Sequence, residues 1–210
     1  MKVTKYPQSC LILEKEGKRL AIDPGSLVSA KYKATDLWPL DGIIITHEHQ
    51  DHADPELLRA LISNAQIPVV GNESTSKVLG EIINKVVADN EEVDIAGFHL
   101  QAKELPHCVM VDGSAGPQNT GYVIDGAFFH PGDGIAIEGV RTEAAAVPFA
   151  GPDISPHDVY SFIQQVGCKT LIPIHYDYFP ADTDFYRNML NNMDGSLRII
   201  TLENGESAEI

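Results

Sequence analysis

Seven consecutive residues, Thr46-His47-Glu48-His49-Gln50-Asp51-His52, hold three imidazoles and two carboxylates. They follow the apolar run Ile43-Ile44-Ile45, so a buried strand delivers a dense set of metal donors to its own C-terminal end. A lone histidine in a polar loop is ordinary. His-x-His-x-Asp-His directly behind an apolar strand points instead to a metal site. On a strand-like backbone, side chains two apart share a face. That spacing puts His47, His49 and Asp51 on one side and leaves His52 for a second ion. Nitrogen and oxygen donors suit zinc, iron or manganese rather than copper(I) or an iron–sulfur cluster.

The remaining histidines differ in context. His175 closes the apolar run Thr170-Leu171-Ile172-Pro173-Ile174, the same setting as His47, and is expected to be a ligand. His107 follows Leu105-Pro106 where a loop begins, and its residues alone leave ligand and bystander equally open. In His130-Pro131-Gly132-Asp133, Asp133 is a candidate bridge between two ions, and Gly132 lets the backbone come close. His130 reads as a support or as a satisfied strand-end histidine. His99, in an alternating strand, and His157, in a helix first turn, read as structural or surface residues. Tyr176, beside His175, is a candidate donor to an oxyanion, with plain packing as the alternative.

The elements that must position these groups follow from periodicity. Cys10–Leu13 and Arg19–Ile22 form a hairpin, stopped by Asp23-Pro24-Gly25, and residues 26–40 look irregular. Asp54-Pro55 starts a helix carrying Leu57, Leu58, Leu61 and Ile62. Pro68–Gly71 is a strand. Residues 74–87 give the clearest helical stripe, Val78, Leu79, Ile82, Ile83, Val86 and Val87. Strands follow around Ala96-Gly97 (92–105), around the turn Asp125-Gly126, and at 143–149. A helix runs from Ser155-Pro156 to Val166, ended by Gly167, and another over 182–192. Residues 198–210 are expected to form a final strand pair. With no linker or composition break, this order implies one domain over 1–210, of α/β (α+β) class, folded as a four-layer αββα sandwich.

The chain has 210 residues, 43% hydrophobic and 21% charged, which is ample for a core. No apolar run approaches a membrane span, and the first residues lack the apolar segment of a signal peptide. Three cysteines without a Cys-x-x-Cys pair argue against a disulfide framework. Together these imply a cytoplasmic protein. A formal net charge of -15 repels nucleic acid.

In chain order, the Thr46–His52 motif, His107, Gly132-Asp133 and His175 resemble the metallo-β-lactamase-fold superfamily, and Ile22-Asp23-Pro24-Gly25 is similar to its first motif. The opening Ser9–Leu13 and the ending Pro173–Tyr176 look most like the small metal-dependent hydrolases similar to ascorbate-phosphate lactonase. The resemblance implies that His47, His49 and His107 hold one divalent ion and that Asp51, His52 and His175 hold another, bridged by Asp133. Zinc comes foremost, with manganese or iron as alternatives. It also implies that Asp23 orients the ligand loop, and that Asp51 aids the nucleophile in hydrolysing an ester, lactone or phosphodiester. One departure is Cys108, where related hydrolases often carry a hydroxyl. The expected partner is a small-molecule substrate, with a homo-oligomer allowed. The alternatives are a nuclease of the same fold, a non-catalytic metal-binding protein and an iron redox protein.

Overall fold

In a computed structural model, which describes residues 1–63 and 66–210, the two halves of the chain each build one sheet. The first takes β1 (Lys2–Lys5), β2 (Leu11–Lys15), β3 (Lys18–Ile22), β4 (Gly42–Ile44), β5 (Val69–Gly71) and β6 (Lys85–Val86) in that spatial order. The second takes β7 (Glu92–Ile95), β8 (Phe98–Leu105), β9 (Asn119–Ile124), β10 (Phe128–His130), β11 (Ala144–Pro148), β12 (Thr170–Ile174) and β13 (Arg198–Ile199). The last strand, β14 (Ser207–Glu209), crosses back to pair antiparallel with β1. Both sheets begin with antiparallel hairpins and continue in parallel, from β3 in one and from β10 in the other. Parallel neighbours need crossovers, and these crossovers carry the helices.

Strand alternation distributes the apolar side chains among three cores. Leu11, Leu13, Leu20 and Ile44 meet Phe98, Leu100, Tyr122 and Ile172 between the sheets. Ile12, Ala21 and Ile43 face outward against Leu57, Leu58 and Leu61 of α3 (Pro55–Ile62). On the far side Phe129, Val147 and Leu171 pack on Val159, Phe162 and Ile163 of α5 (Pro156–Val166) and on Leu190 of α6 (Thr183–Met193). The result is helix, sheet, sheet, helix. Helix starts follow the sequence: Asp54 caps α3, with Pro55 at its first position, and Ser155 and Asp158 close a capping box on α5.

Three expectations need correction. The helix expected over 74–87 is only α4 (Glu73–Leu79), because Gly80 takes φ +57 and turns the chain into a single 3₁₀ turn before β6. Leu79, Ile82, Ile83 and Val87 are still buried, but Val78 and Val86 face solvent, so the apparent stripe joins two elements. Residues 26–40 contain two short helices, α1 (Ser26–Ser29) and α2 (Ala34–Leu37). The final strands do not pair with each other: β13 extends one sheet beside β12 and β14 the other beside β1.

The arrangement gathers several loops at one edge of the sandwich. The loops after β3, β4, β8, β10 and β12 carry Asp23, His47–His52, His107, Asp133 and His175 respectively. Among the described residues no helix is long and apolar enough to cross a membrane.

Candidate metal centre

The backbone after β4 does not continue as a strand. The amides of His52 and Ala53 both donate to the His49 carbonyl, closing a turn that separates the donors into two groups. His47, His49, His107 and Asp133 offer ligand atoms within 4.8 Å of one another, and Asp51, His52 and His175 form a second such set. His47 Nε2 lies 3.1 Å from His49 Nδ1 and 3.3 Å from His107 Nε2. Asp133 stands between the groups, with Oδ1 3.0 Å from His52 Nε2 and Oδ2 3.1 Å from His175 Nε2 and 3.4 Å from His107 Nε2. Strand alternation would have grouped Asp51 with His47 and His49; the turn sends it to His52 instead.

In four of the five rings the nitrogen on the far side is already spent. His175 Nδ1 donates to the Ala150 carbonyl at 2.7 Å, and His107 Nδ1 to the Cys108 carbonyl at 2.7 Å. His52 Nδ1 donates to Asp23 Oδ2 at 2.8 Å. Thr46 Oγ1 gives its hydrogen to Asp23 Oδ2 at 2.7 Å, so at 3.0 Å it accepts from His47 Nδ1. A neutral imidazole that donates through Nδ1 has a lone pair on Nε2. Four such lone pairs therefore converge on two carboxylates. His52 Nε2, His175 Nε2 and Asp133 Oδ1 are buried without a hydrogen-bond partner. Buried polar atoms without a partner are costly unless a cation completes them, and this nitrogen and oxygen set fits divalent ions of the zinc, manganese or iron type.

Protonation follows the same geometry. Burial, with His52 nearby, pushes His47 well below the usual imidazole range, and burial beside His107 lowers His49. Burial opposes charge on His52 as well, but Asp133 and Asp51 outweigh it and hold that ring well above the usual range. His107 and His175 are raised to about 10 despite burial, mainly by hydrogen bonding to Asp133 at His107 and by the Asp133 charge at His175. Burial works against ionisation of Asp133 and Asp51 too, and the facing histidines nonetheless hold both below the ordinary carboxylate range. Without a cation, protons take its place.

The scaffold behind the ligands is tightly specified. Asp23 sits at φ +49, fully buried, and its Oδ1 also accepts from the Thr46 amide at 2.8 Å. A Cβ on Gly25 would lie 1.9 Å from the Asp51 carbonyl oxygen, so the Asp23-Pro24-Gly25 segment lies directly against the ligand loop. Gly132 has φ +62 and closes on Asn119 and Thr46, presenting Asp133 to the cluster. Asn72 Nδ2 donates to the Thr46 carbonyl at 3.0 Å while its Oδ1 caps α4.

Two residues were missed by sequence reasoning. Gln8, buried at φ +65, donates from Nε2 to Asp51 Oδ2 at 2.8 Å and accepts from the Tyr178 amide at 3.2 Å. Asn72 looked like an ordinary helix cap. Neither a positive φ at a glutamine nor a side chain shared between two sheets leaves a signal in sequence. Tyr176 is not brought to the site. Its hydroxyl donates to the Leu202 carbonyl at 3.2 Å, its ring lies under Lys5, and it does not line the cleft, so the oxyanion role expected for it has no geometric support. His130 spends both ring nitrogens, on the Ser9 carbonyl and the Gly132 amide. His99 pairs with Asp94 at the surface, and His157 is exposed on α5.

A cleft of about 490 Å³ opens over the cluster, reaching His49, Asp51, His107, Asp133 and His175. Its other walls come from α1, from Pro152 ahead of α5, and from the segments after His107 and after Tyr176.

A family model described as a beta-lactamase superfamily domain matches residues 2–175. Protein Rv0786c of Mycobacterium tuberculosis is 26% identical over 181 residues, covering 83% of this chain and 84% of that one. A UPF0173 metal-dependent hydrolase of Caldivirga maquilingensis is 21% identical over 220 residues, 92% of this chain and 91% of its own. Among solved structures, Igni18, described as a novel metallo hydrolase from the archaeon Ignicoccus hospitalis, superposes with a TM-score of 0.78. The match covers 100% of this chain and 98% of that one at 18% identity, a likeness of fold.

Proposed function

Because the chain belongs to the beta-lactamase superfamily, we propose that its histidine–aspartate cluster holds two divalent cations and that the protein is a metal-dependent hydrolase. The observation that carries this is the convergence of five imidazoles and two carboxylates, with His52 Nε2, His175 Nε2 and Asp133 Oδ1 buried and unpartnered, beneath a cleft open to solvent. His47, His49 and His107 hold one ion and Asp51, His52 and His175 the other, with Asp133 shared. Zinc is the first candidate, manganese and iron the next. Ions bound there acidify water to give hydroxide near neutral pH and stabilise negative charge developing on the substrate.

The chain's own residues do the rest. Asp23 and Thr46 hold His52 and His47 with their lone pairs turned inward. Gln8 pins Asp51 Oδ2, leaving Oδ1 to take the proton of the attacking water and return it to the leaving group. Asp51 is the carboxylate of the cluster that retains solvent contact, with 27% of its side chain exposed against 4% for Asp133. The test is to strip the protein with a chelator, reload it with zinc or manganese, and assay p-nitrophenyl esters, aliphatic lactones and bis(p-nitrophenyl) phosphate. Turnover is expected to vanish on stripping and to return as two equivalents are restored. Tight binding of two equivalents without turnover of any of these would leave a metal-binding protein and refute the enzyme.

A further inference from the structure

Away from its ligand floor, the cleft has a single chemical character. Leu27, Met110, Val111, Pro152, Tyr178 and Phe179 form the wall, and the other residues there are Ser26, Gln50 and Cys108, none of them a carboxylate or a cation. Among the described residues lining it there is no lysine or arginine. Lys5 lies behind the Gln8 segment but is buried and spent on Asp177, Asn204 and the Tyr6 carbonyl. Val111 and Tyr178 are 78% and 64% exposed, an apolar rim on a protein of net charge -15. Phosphoryl-transfer sites place cationic side chains around the transferred group and its charged neighbours. Here any anionic part of a substrate that projects beyond the ions would meet apolar side chains within an acidic field. An apolar substituent would be desolvated against the same wall, and such burial favours binding in proportion to its area.

We propose that the substrate is an uncharged carboxylic ester or lactone bearing an apolar acyl chain or ring. This rests on the hydrolase reading above and narrows it to carbonyl chemistry. The water oxygen bonds to the carbonyl carbon. The acyl C–O bond breaks, and its electron pair stays on the departing oxygen. That oxygen receives the proton taken from water by way of Asp51 Oδ1. One ester and one water give one carboxylic acid and one alcohol, and one lactone and one water give one hydroxy acid.

The experiment uses the zinc-loaded protein and one leaving group throughout: p-nitrophenyl acetate, butyrate and hexanoate, with bis(p-nitrophenyl) phosphate as the phosphoryl counterpart. kcat/KM is expected to rise about fourfold for each added methylene until the wall is filled, with the phosphodiester slower than every ester. Phe179→Ser is expected to shrink the hexanoate-to-acetate ratio while two equivalents of zinc stay bound. A binding arm is independent of turnover. With ¹³C-methyl methionine labelling, and Met110 assigned by Met110→Leu, hexanoate is expected to shift the Met110 resonance and acetate, which has the same head group, to leave it in place. Rates independent of chain length, or a phosphodiester preferred, overturn the proposal while the hydrolase reading stands. A Met110 shift without turnover of any substrate supports the apolar ligand and overturns the hydrolase. Neither shift nor turnover overturns both.

Discussion

Replacing Asp23 by asparagine changes one atom behind the ligands, in a residue that does not line the cleft, and should be felt at the metals. The carboxylate accepts three hydrogen bonds: the Thr46 amide on Oδ1, and the Thr46 hydroxyl and His52 Nδ1 on Oδ2. An asparagine side chain must turn its NH₂ toward one side or the other. Facing the Thr46 amide, it loses one bond and sets two donors against each other; facing Oδ2's partners, it loses two. The better orientation leaves the Thr46 amide and the new NH₂ without acceptors, each costing about 1–3 kcal/mol, and removes the charge from the two bonds that remain. A total loss of about 3 kcal/mol is expected in the metal-stripped protein. That is a large share of a typical domain's 5–15 kcal/mol but leaves it folded. His52 keeps its Nδ1–H bond but to a neutral acceptor, which makes Nε2 a weaker donor to a cation, so affinity at the Asp51, His52 and His175 site should fall about 10- to 100-fold. The assays are urea denaturation of stripped protein, read as a lower midpoint at constant slope, and zinc titration against a chromogenic chelator. One of the two binding steps should weaken and the other hold. Unchanged affinity for both equivalents, with stability lost, would mean that Asp23 merely supports the fold.

Asp133→Ala is expected to lower metal content and turnover together, and full activity with two ions retained would rule out a shared carboxylate. Gln8→Asn places a residue type more tolerant of positive φ at that position but withdraws the amide from Asp51. kcat should drop about tenfold with KM little changed, and an unchanged kcat would sever Gln8 from the chemistry. In stripped protein, His107 and His175 titrate near 10 against about 6.5 when unfolded. Their raised values add stability that is complete below about pH 6.5 and is lost as pH rises toward 10. The depressed Asp51 and Asp133 act oppositely, adding stability above about pH 4 that is lost as pH falls through their folded values. Stripped protein should therefore resist urea better at pH 6 than at pH 9, and zinc loading at pH 7.5 should release protons. Equal midpoints and no proton release would contradict the exchange of protons for cations.

The parts of the site legible in sequence were those written in local contrast. Apolar strands ending abruptly in histidine announced His47–His52 and His175, because a buried strand has little other reason to present imidazoles at its end. His107 lacked that contrast. The loop after it packs so closely that a Cβ on Gly116 would lie 2.3 Å from its Nδ1, and nothing local reveals such packing. Adjacency misled at Tyr176: the backbone turns at His175, which has φ +60, and sends the next side chain toward Leu202. The 74–87 stripe misled because helical spacing survives across a glycine break when both pieces bury apolar residues on one sheet. The C-terminal end of the chain was opaque, since strands of two and three residues carry no pattern that selects a partner sheet. Gln8 and Asp23, held at positive φ among several long-range hydrogen bonds, belong to strain that only a folded structure exposes.

The most direct measurement is anomalous diffraction at the zinc edge from crystals of the zinc-loaded protein. Two peaks are expected on either side of the Asp133 carboxylate, about 3.5–4 Å apart as in two-metal hydrolytic sites. One should be ringed by His47, His49 and His107, the other by Asp51, His52 and His175. A single peak, or density away from these seven side chains, would contradict a paired-cation centre.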